Sequence, residues 1–123
     1  MTKVPNSKPY DLEERTYEFA KRVRAFVKRL PKTLGNMEDA KQLVRASGSV
    51  GANYIEANEA LSKKDFVMRI KISRKEAKES RYWLRLVDTG EDVEVENERH
   101  GLLQEARELT SMLSAILQKS TGN

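Results

Sequence analysis

The sequence predicts an all-α protein that folds as an antiparallel up-down four-helix bundle. Four segments carry apolar side chains at alternating spacings of three and four residues, which is the period of an amphipathic helix. Short runs with turn-forming residues separate these segments, and short connections favour antiparallel neighbours. The 123 residues suffice for one hydrophobic core but not for two, and the absence of cysteine excludes a disulfide framework.

The first helix is predicted to start at Asp11, because Asp11 and Glu14 have the spacing of a capping box. Its apolar stripe reaches Leu30, and Pro31 should end the helix. The chain is predicted to divide into an N-terminal tail, a single four-helix-bundle domain and a C-terminal tail, at residues 1–10, 11–119 and 120–123.

The second helix is predicted over about residues 37–61, with Asn36 as its N-cap. Its interior contains Gly48 and Gly51, and a glycine in a helix costs about 1 kcal/mol relative to alanine. We interpret both glycines as points where a neighbouring helix approaches closely, with a kink or a break into two helices as the alternative. The segment lacks the lysine of a phosphate-binding loop.

Ser62 and Asp65 have capping spacing and are predicted to open a third helix that ends near Thr89 and Gly90. The acidic stretch 91–98, EDVEVENE, is predicted to be a linker. A fourth helix follows, and its apolar face consists of Leu102, Leu103, Ala106, Leu109, Leu113, Ile116 and Leu117.

Basic side chains are concentrated in two parts of the chain. Residues 1–45 carry 11 basic and 6 acidic side chains, residues 62–90 carry 9 and 4, and residues 91–123 carry 3 and 7. At helical spacing these side chains predict a cationic stripe on the first helix and another on the third. The candidate nucleic-acid-binding residues are Lys21, Arg22, Arg24, Lys28, Arg29, Lys71, Arg74, Lys75, Lys78, Arg81 and Arg85.

Such stripes can follow the phosphates of RNA or DNA, and counterion release makes that binding strongly salt-dependent. One alternative is that the stripes are solvated helix faces, partly neutralised by Glu76, Glu79 and the acidic fourth helix. Another is that the basic surface of one subunit pairs with the acidic surface of another. Base-specific recognition is not expected, because no zinc-finger, RNP or basic-zipper motif is present. Trp83 lies beside an apolar stripe and is interpreted as a core residue.

A second set of polar residues joins the predicted second and third helices. If these helices are antiparallel neighbours, an arginine can meet a carboxylate across the seam, and a bidentate pair would fix their register. We interpret the set as a structural polar clamp. The alternative is a ligand or catalytic pocket in which Arg45, Lys75 and Glu79 bind a dicarboxylate. The members of the clamp are Arg45, Asn53, Glu56, Glu76 and Glu79.

The sequence gives little support to enzyme chemistry. A di-iron carboxylate bundle needs two Glu-x-x-His motifs, whereas His100 is the only histidine. Its pairing with Glu96 is interpreted as a surface feature, so neither a metal nor a cofactor is expected. The longest uncharged stretch, 46–55, is too short to span a membrane, and the N-terminus has no signal-peptide core, so a cytoplasmic protein is expected.

Residues 49–87, SVGANYIEANEALSKKDFVMRIKISRKEAKESRYWLRLV, carry a family resemblance that extends over about residues 40–88. The region resembles the four-helix-bundle proteins encoded in intervening sequences of bacterial large-subunit ribosomal RNA genes. The family pattern matches at Arg45, Ser49-Val50, Asn53, Glu56, Asp65-Phe66, Glu76, Glu79 and Trp83-Leu84.

The resemblance implies a four-helix protomer, commonly assembled as a homopentamer. It also implies a relationship to the accessory variability determinant of diversity-generating retroelements, which binds nucleic acid and works with a reverse transcriptase. Most members have no established biochemical activity. We therefore predict a non-catalytic, homo-oligomeric protein that binds RNA or DNA non-specifically, with a protein-binding adaptor that does not bind nucleic acid as the main alternative and a small-ligand enzyme as a lesser one.

Overall fold

Four helices make up most of residues 11–122, the part of the chain that the computed structural model describes. They are α1 (Leu12–Lys28), α2 (Leu34–Asn58), α3 (Lys63–Leu86) and α4 (Val93–Thr121). Each helix packs against the next one in the chain, and α1 also packs against α4. Within the described residues α1 does not contact α3, and α2 does not contact α4, so these pairs are diagonal. The predicted all-α four-helix bundle is confirmed.

Each helix begins with a polar side chain that accepts a hydrogen bond from a backbone N–H of the first turn. Asp11 accepts from Glu14 and Ser62 accepts from Asp65, as predicted. The predicted cap of α2 is wrong, because Thr33 caps this helix and Asn36 lies in its first turn. Thr33 comes two residues after the stop at Pro31, so α2 starts earlier than the apolar pattern indicated.

Asn36 instead ties together the two loops at one end of the bundle. Its buried amide donates to the carbonyl of Pro31 at 2.9 Å and to that of Asp88 at 2.8 Å, and its oxygen accepts from the Asp88 N–H at 2.9 Å. Gly90 completes this contact at φ 69°, where a Cβ would lie 2.7 Å from the Pro31 ring. The α1–α2 loop and the α3–α4 loop therefore form one packed unit.

The α3–α4 connection is shorter than predicted. Asp92 caps α4, so most of the acidic stretch 91–98 is helix and not a linker. Acidic side chains in the first turn stabilise a helix by interacting with the positive end of its dipole. Val95, in the same stretch, is buried in the core. α3 ends at Leu86 and not near Thr89, because the Arg99 guanidinium donates to the carbonyls of the last turn.

Side chains from all four helices form one hydrophobic core. Near the end of α2, Ala57 is buried in this core, whereas Ile55 and Asn58 are exposed. Trp83 is half-buried and packs on the core. The largest fully buried apolar side chains are Phe19, Phe26, Leu43, Ile70, Leu84, Leu102, Leu109, Leu113, Val23, Val50 and Val95.

The two interior glycines of α2 differ in their surroundings, and the helix runs through both without a break. A Cβ at Gly51 would lie 2.8 Å from Thr16 Oγ1 and 3.2 Å from Thr16 Cβ, so α1 and α2 approach closely there, as predicted. At Gly48 the nearest atom is Arg24 Nη2 at 3.5 Å, an ordinary contact. The close-approach interpretation of Gly48 is therefore wrong.

The ends of the chain fall partly outside the described residues. The predicted tail at 1–10 lies outside them, as does Asn123. α4 continues to Thr121, two residues into the segment predicted as the C-terminal tail. None of the helices in residues 11–122 has an apolar stretch long enough to cross a bilayer.

Candidate nucleic-acid interface

The outer face of α3 carries a basic groove of about 320 Å³, which we call the α3 groove. Steps of three, four and seven residues place its side chains on one face of the helix. Three lysines contribute exposed ammonium groups, and an aromatic ring closes one end. The groove is lined by Lys71, Arg74, Lys75, Lys78, Glu79 and Tyr82.

Part of the charge in the α3 groove is already engaged. The single carboxylate, Glu79, lies 3.1 Å from Arg45 Nη2 and 4.0 Å from Lys75 Nζ. Arg74 Nη1 donates to Ser114 Oγ at 3.4 Å. Lys71 and Lys78 form no ion pair within residues 11–122, so their ammonium groups face solvent and are available to an anion.

Two exposed arginines, Arg81 and Arg85, extend the basic surface toward the C-terminal end of α3. Within the described part of the chain neither forms an ion pair. Every predicted basic residue of this helix therefore lies on its exposed or half-exposed surface. The basic surface of α3 is continuous along the helix.

The basic stripe of α1 is arranged differently. Arg22 Nε lies 3.2 Å from a carboxylate oxygen of Glu98, and Arg29 Nη2 lies 3.2 Å from one of Glu94. Both carboxylates belong to α4, so these two arginines serve packing between helices. The exposed cations that remain on α1 are Lys21, Arg24 and Lys28.

Arg15 completes this arrangement and was missed by the sequence analysis. It forms a bidentate pair with Glu105 at 2.8 Å and a further hydrogen bond to Glu108 at 2.6 Å. The hydrogen bonds that Arg15 donates to Glu105 raise the pKa of Arg15. Arg15, Arg22 and Arg29 stand seven residues apart and face α4, and this set with its carboxylates is the arginine ladder. The heptad spacing of the arginines opposite an acidic helix was the available signal.

Because α1 and α3 are diagonal in the bundle, their basic stripes do not merge into one surface. The first stripe includes residues paired to α4, whereas the second faces outward beside the α3 groove. Gly101 makes room for the pairing of Arg22 with α4, because a Cβ at position 101 would lie 3.0 Å from Arg22 Nη2. The candidate residues therefore divide into a stripe that includes arginines paired with α4 and a stripe that lies on the outward face of α3.

The structure brings three of the five predicted clamp residues together. Arg45 donates to Glu76 at 3.3 and 3.5 Å and to Glu79 at 3.1 Å, across the seam between α2 and α3. The hydrogen bonds that Arg45 donates to Glu76 raise the pKa of Arg45. Asn53 lies elsewhere and accepts from Arg69 at 3.2 Å, while Glu56 is exposed at the end of α2.

The charged side chains of the alternative chemical sites already contact neighbouring side chains. The dicarboxylate pocket would use Arg45, but its guanidinium already contacts Glu76 and Glu79, and the α3 groove beside it is open. Glu96 lies 3.3 Å from His100, and the hydrogen bond from Arg99 lowers the pKa of Glu96. Within residues 11–122 no cluster of three or more potential metal ligands occurs.

Comparisons with known proteins agree with this architecture. The crystal structure of a protein of unknown function from the S23 ribosomal protein family of Bacteroides thetaiotaomicron VPI-5482 is similar to the chain, with 30% sequence identity and a TM-score of 0.75. The alignment covers 87% of this chain and 98% of the other. No curated protein matches the sequence. Residues 8–115 match the family described as 23S rRNA-intervening sequence protein. The chain therefore belongs to the 23S rRNA-intervening sequence protein family.

Proposed function

We propose that this protein is a non-catalytic, homo-oligomeric protein of the cytoplasm that binds nucleic acid without base specificity. The α3 groove is the main contact surface, and it binds the phosphate backbone. Phosphate contacts carry no base information, which agrees with the lack of a recognition motif in the sequence. The proposal adds a function to a family match and a structural relative whose descriptions name no activity.

The observation that carries the proposal is the free charge of the α3 groove. Lys71 and Lys78 present ammonium groups that are not committed to any carboxylate within the described residues. Glu79, the acidic member of the groove, is shared between Arg45 and Lys75 and so repels an approaching phosphate less. A cationic strip along one helix suits a linear polyanion.

The α1 stripe contributes less to this binding. Arg22 and Arg29 are paired with carboxylates of α4, and Lys21 lies over the ring of Tyr17 at 5.8 Å. The N-terminal half of α1 also carries Glu13, Glu14 and Glu18, which reduce the local positive potential. α3 is therefore the proposed binding face, and α1 is the basic helix against which its contribution can be compared.

Self-association, with a pentamer as the expected form, is part of the proposal. Several large apolar side chains are strongly exposed on the single chain, and contact with another copy would remove them from water. A homo-oligomer would repeat the α3 groove around the assembly, which strengthens binding to a long polyanion by multivalency. The most exposed of these side chains are Leu34, Leu61 and Val93.

Two triple variants test the contact surface. One changes Lys71, Lys78 and Arg81 to Gln, and the other changes Lys21, Arg24 and Lys28 to Gln, so each removes three positive charges from exposed positions. Fluorescence anisotropy measures binding to unrelated RNA and DNA at about 50 and 200 mM salt. We expect the α3 variant to lose most of its affinity and to show a salt slope smaller by about two to three, whereas the α1 variant changes little.

The outcomes separate the remaining functions. Equal losses in both variants would assign binding to total charge and reject the α3 groove as the main surface. No binding by the wild type at the lower salt would reject nucleic-acid binding and leave the protein-binding adaptor as the function to pursue. Circular dichroism of each variant checks that helicity is unchanged.

A further inference from the structure

Tyr82 is an exposed aromatic ring placed at the end of the α3 groove. Its side chain is 55% exposed although tyrosine usually buries most of its ring, and it forms one wall of the groove beside Lys78. The ring packs edge-to-face on Trp83, with centroids 4.9 Å apart and planes at 82°. Trp83 is itself packed against the core, so the orientation of Tyr82 is supported from below.

We propose that Tyr82 stacks on an unpaired base, and that the α3 groove therefore selects single-stranded RNA or DNA over a duplex. This inference rests on the proposed function, since it assumes that the groove binds a phosphate backbone. An aromatic ring beside a cationic groove is the arrangement that single-strand binding uses, because every base has a π-face and every nucleotide has a phosphate.

The spacing along α3 suits one nucleotide strand. Tyr82 and Lys78 are four residues apart and so lie next to each other on the helix surface, with about 5–6 Å between their Cβ atoms. Lys75 and Lys71 follow at further turns of the same face. A base on Tyr82 would therefore leave its phosphate and the next phosphates near the lysines.

A duplex cannot use Tyr82 in the same way. Its bases are stacked on each other, and their faces are not exposed except at the ends. The lysines of the groove can still contact duplex phosphates, so duplex binding depends on charge alone. The stacking contribution is therefore specific to unpaired strands.

Tyr17 provides a matched control on the opposite corner of the bundle. It is 58% exposed, almost the same as Tyr82, but its ring is covered by the Lys21 ammonium and is flanked by Glu13, Glu14 and Glu18. A strand would meet less positive charge there. Tyr17→Leu should therefore leave binding unchanged.

The test compares wild type, Tyr82→Leu, Tyr82→Phe and Tyr17→Leu. Leucine keeps an apolar side chain but removes the π-face, whereas phenylalanine keeps the ring. Binding to a 12-nucleotide single-stranded RNA, to the corresponding DNA and to a 12-base-pair duplex is measured at about 50 mM salt. We expect Tyr82→Leu to lose about 5- to 100-fold in affinity for both single strands and less than about twofold for the duplex, while the other two variants retain wild-type affinity.

Trp83 gives a second readout, because it is the only tryptophan and its ring contacts Tyr82. Binding of a single strand should change its emission in the wild type and in Tyr82→Phe, and much less in Tyr82→Leu.

Single-strand binding by Tyr82→Leu at wild-type affinity would overturn the stacking inference. If the α3 charge variant loses binding in the same assay, the proposed function survives that failure. A parallel loss of single-strand and duplex binding in Tyr82→Leu would also overturn stacking. Absence of wild-type binding to every nucleic acid would instead remove the proposed function and the inference together.

Discussion

At the scale of single residues, Gly51 fixes the distance between α1 and α2. A Cβ at this position would lie 2.8 Å from Thr16 Oγ1, and that hydroxyl already donates to the Leu12 carbonyl at 2.7 Å. Rotation of the Thr16 side chain would not relieve the contact, because Thr16 Cβ lies at 3.2 Å. We expect Gly51→Leu to lower the free energy of unfolding by about 1–3 kcal/mol through overpacking, measured by urea denaturation at fixed protein concentration.

Gly48→Leu is the matched control for this change. Its nearest neighbour is the mobile end of the Arg24 side chain at 3.5 Å, which can move aside. Leucine is also a better helix former than glycine, by up to about 1 kcal/mol. Gly48→Leu should therefore be as stable as the wild type or more so. Equal destabilisation by both substitutions would contradict the assignment of the close approach to Gly51.

Asn36 contributes stability through three hydrogen bonds that no other residue can supply. Asn36→Ala leaves the carbonyls of Pro31 and Asp88 and the Asp88 N–H without this partner, and an unsatisfied buried polar group costs about 1–3 kcal/mol. We expect a loss in this range in thermal or urea unfolding. Asn58→Ala, at the exposed end of α2, should cost much less. Equal effects would reject the role of Asn36 as the link between the loops.

The contrast between Asp11 and Asn36 shows what a sequence can predict about single residues. Capping by Asp11 and Ser62 was predictable, because a cap bonds to residues three positions away in the chain. The partner of Asn36 is Asp88, 52 residues away, and only the folded bundle brings the two together. Local patterns therefore find local hydrogen bonds and miss those made by tertiary packing.

At the scale of helices, the arginine ladder holds α1 against α4, and its pairs should differ in strength. The Arg15–Glu105 pair is bidentate, with side chains only 25% and 17% exposed, whereas the Glu94 side chain is 85% exposed. We expect Glu105→Gln to cost about 1–2 kcal/mol, between values typical of exposed and buried pairs. Glu94→Gln should cost less than about 0.5 kcal/mol. Urea denaturation measures both, and a larger loss for Glu94→Gln would contradict this ranking.

Acidic pH should weaken the start of α4. Hydrogen bonds donated by Arg99 and, to a smaller extent, by Thr89 lower the pKa of Glu96. Hydrogen bonds donated by Gln104 and, to a smaller extent, by Arg15 lower the pKa of Glu108. A lowered folded pKa gives stability that is present above the ordinary value of 4.5 and is lost as pH falls through the folded value. We expect the unfolding midpoint to fall progressively as the pH is lowered below about 4.5.

Glu96→Gln should flatten this acid-induced loss, because the variant has no carboxylate to protonate at that position. Glu14 is the control of opposite sign, since desolvation by neighbouring groups and then the hydrogen bond with Glu18 raise its pKa, although its side chain is exposed. Protonation of Glu14 favours the folded state, so Glu14→Gln should leave the acid-induced loss as steep as in the wild type or steeper. A flattening by Glu14→Gln alone would contradict both assignments.

The ladder also explains why the start of α4 was predicted wrongly. The stretch 91–98 contains many acidic residues, and like charges close together disfavour a helix when they have no partners. In the bundle Arg29, Arg22 and Arg99 neutralise three of these carboxylates. The helices themselves were predictable from apolar period, whereas this boundary depends on residues of another helix.

At the scale of the whole molecule, the bundle divides its positive charge between a first stripe whose arginines pair with carboxylates of α4 and the outward basic surface of α3. The sequence predicted both basic stripes, because helical spacing alone defines a stripe. It could not distinguish their uses, since both helices lie beside acidic α4, and only the folded bundle shows that arginines of the first stripe meet its carboxylates. Lys71 and Lys78 of the second stripe form no ion pair within the described residues. The α3 groove is therefore the part of the candidate site that follows from topology and not from composition.

This division predicts that salt weakens nucleic-acid binding but leaves assembly unchanged. Nucleic-acid binding through the α3 groove should weaken steeply between about 50 and 500 mM salt, because screening and counterion release both act on exposed charges. Assembly through exposed apolar side chains such as Leu34, Leu61 and Val93 should keep the same mass over that range, since apolar burial does not depend on charge. Light scattering at each salt concentration measures the mass.

Two results would contradict the apolar mode of assembly. A monomer mass at all salt concentrations would reject self-association. A mass that falls with rising salt would mean that the basic surface of α3 pairs with acidic surface of another subunit, as the charge asymmetry of the sequence also allows. In that case the same lysines would serve assembly and nucleic-acid binding in competition, and added RNA would dissociate the oligomer at low salt. A constant mass on addition of RNA is the result expected if the two surfaces are separate.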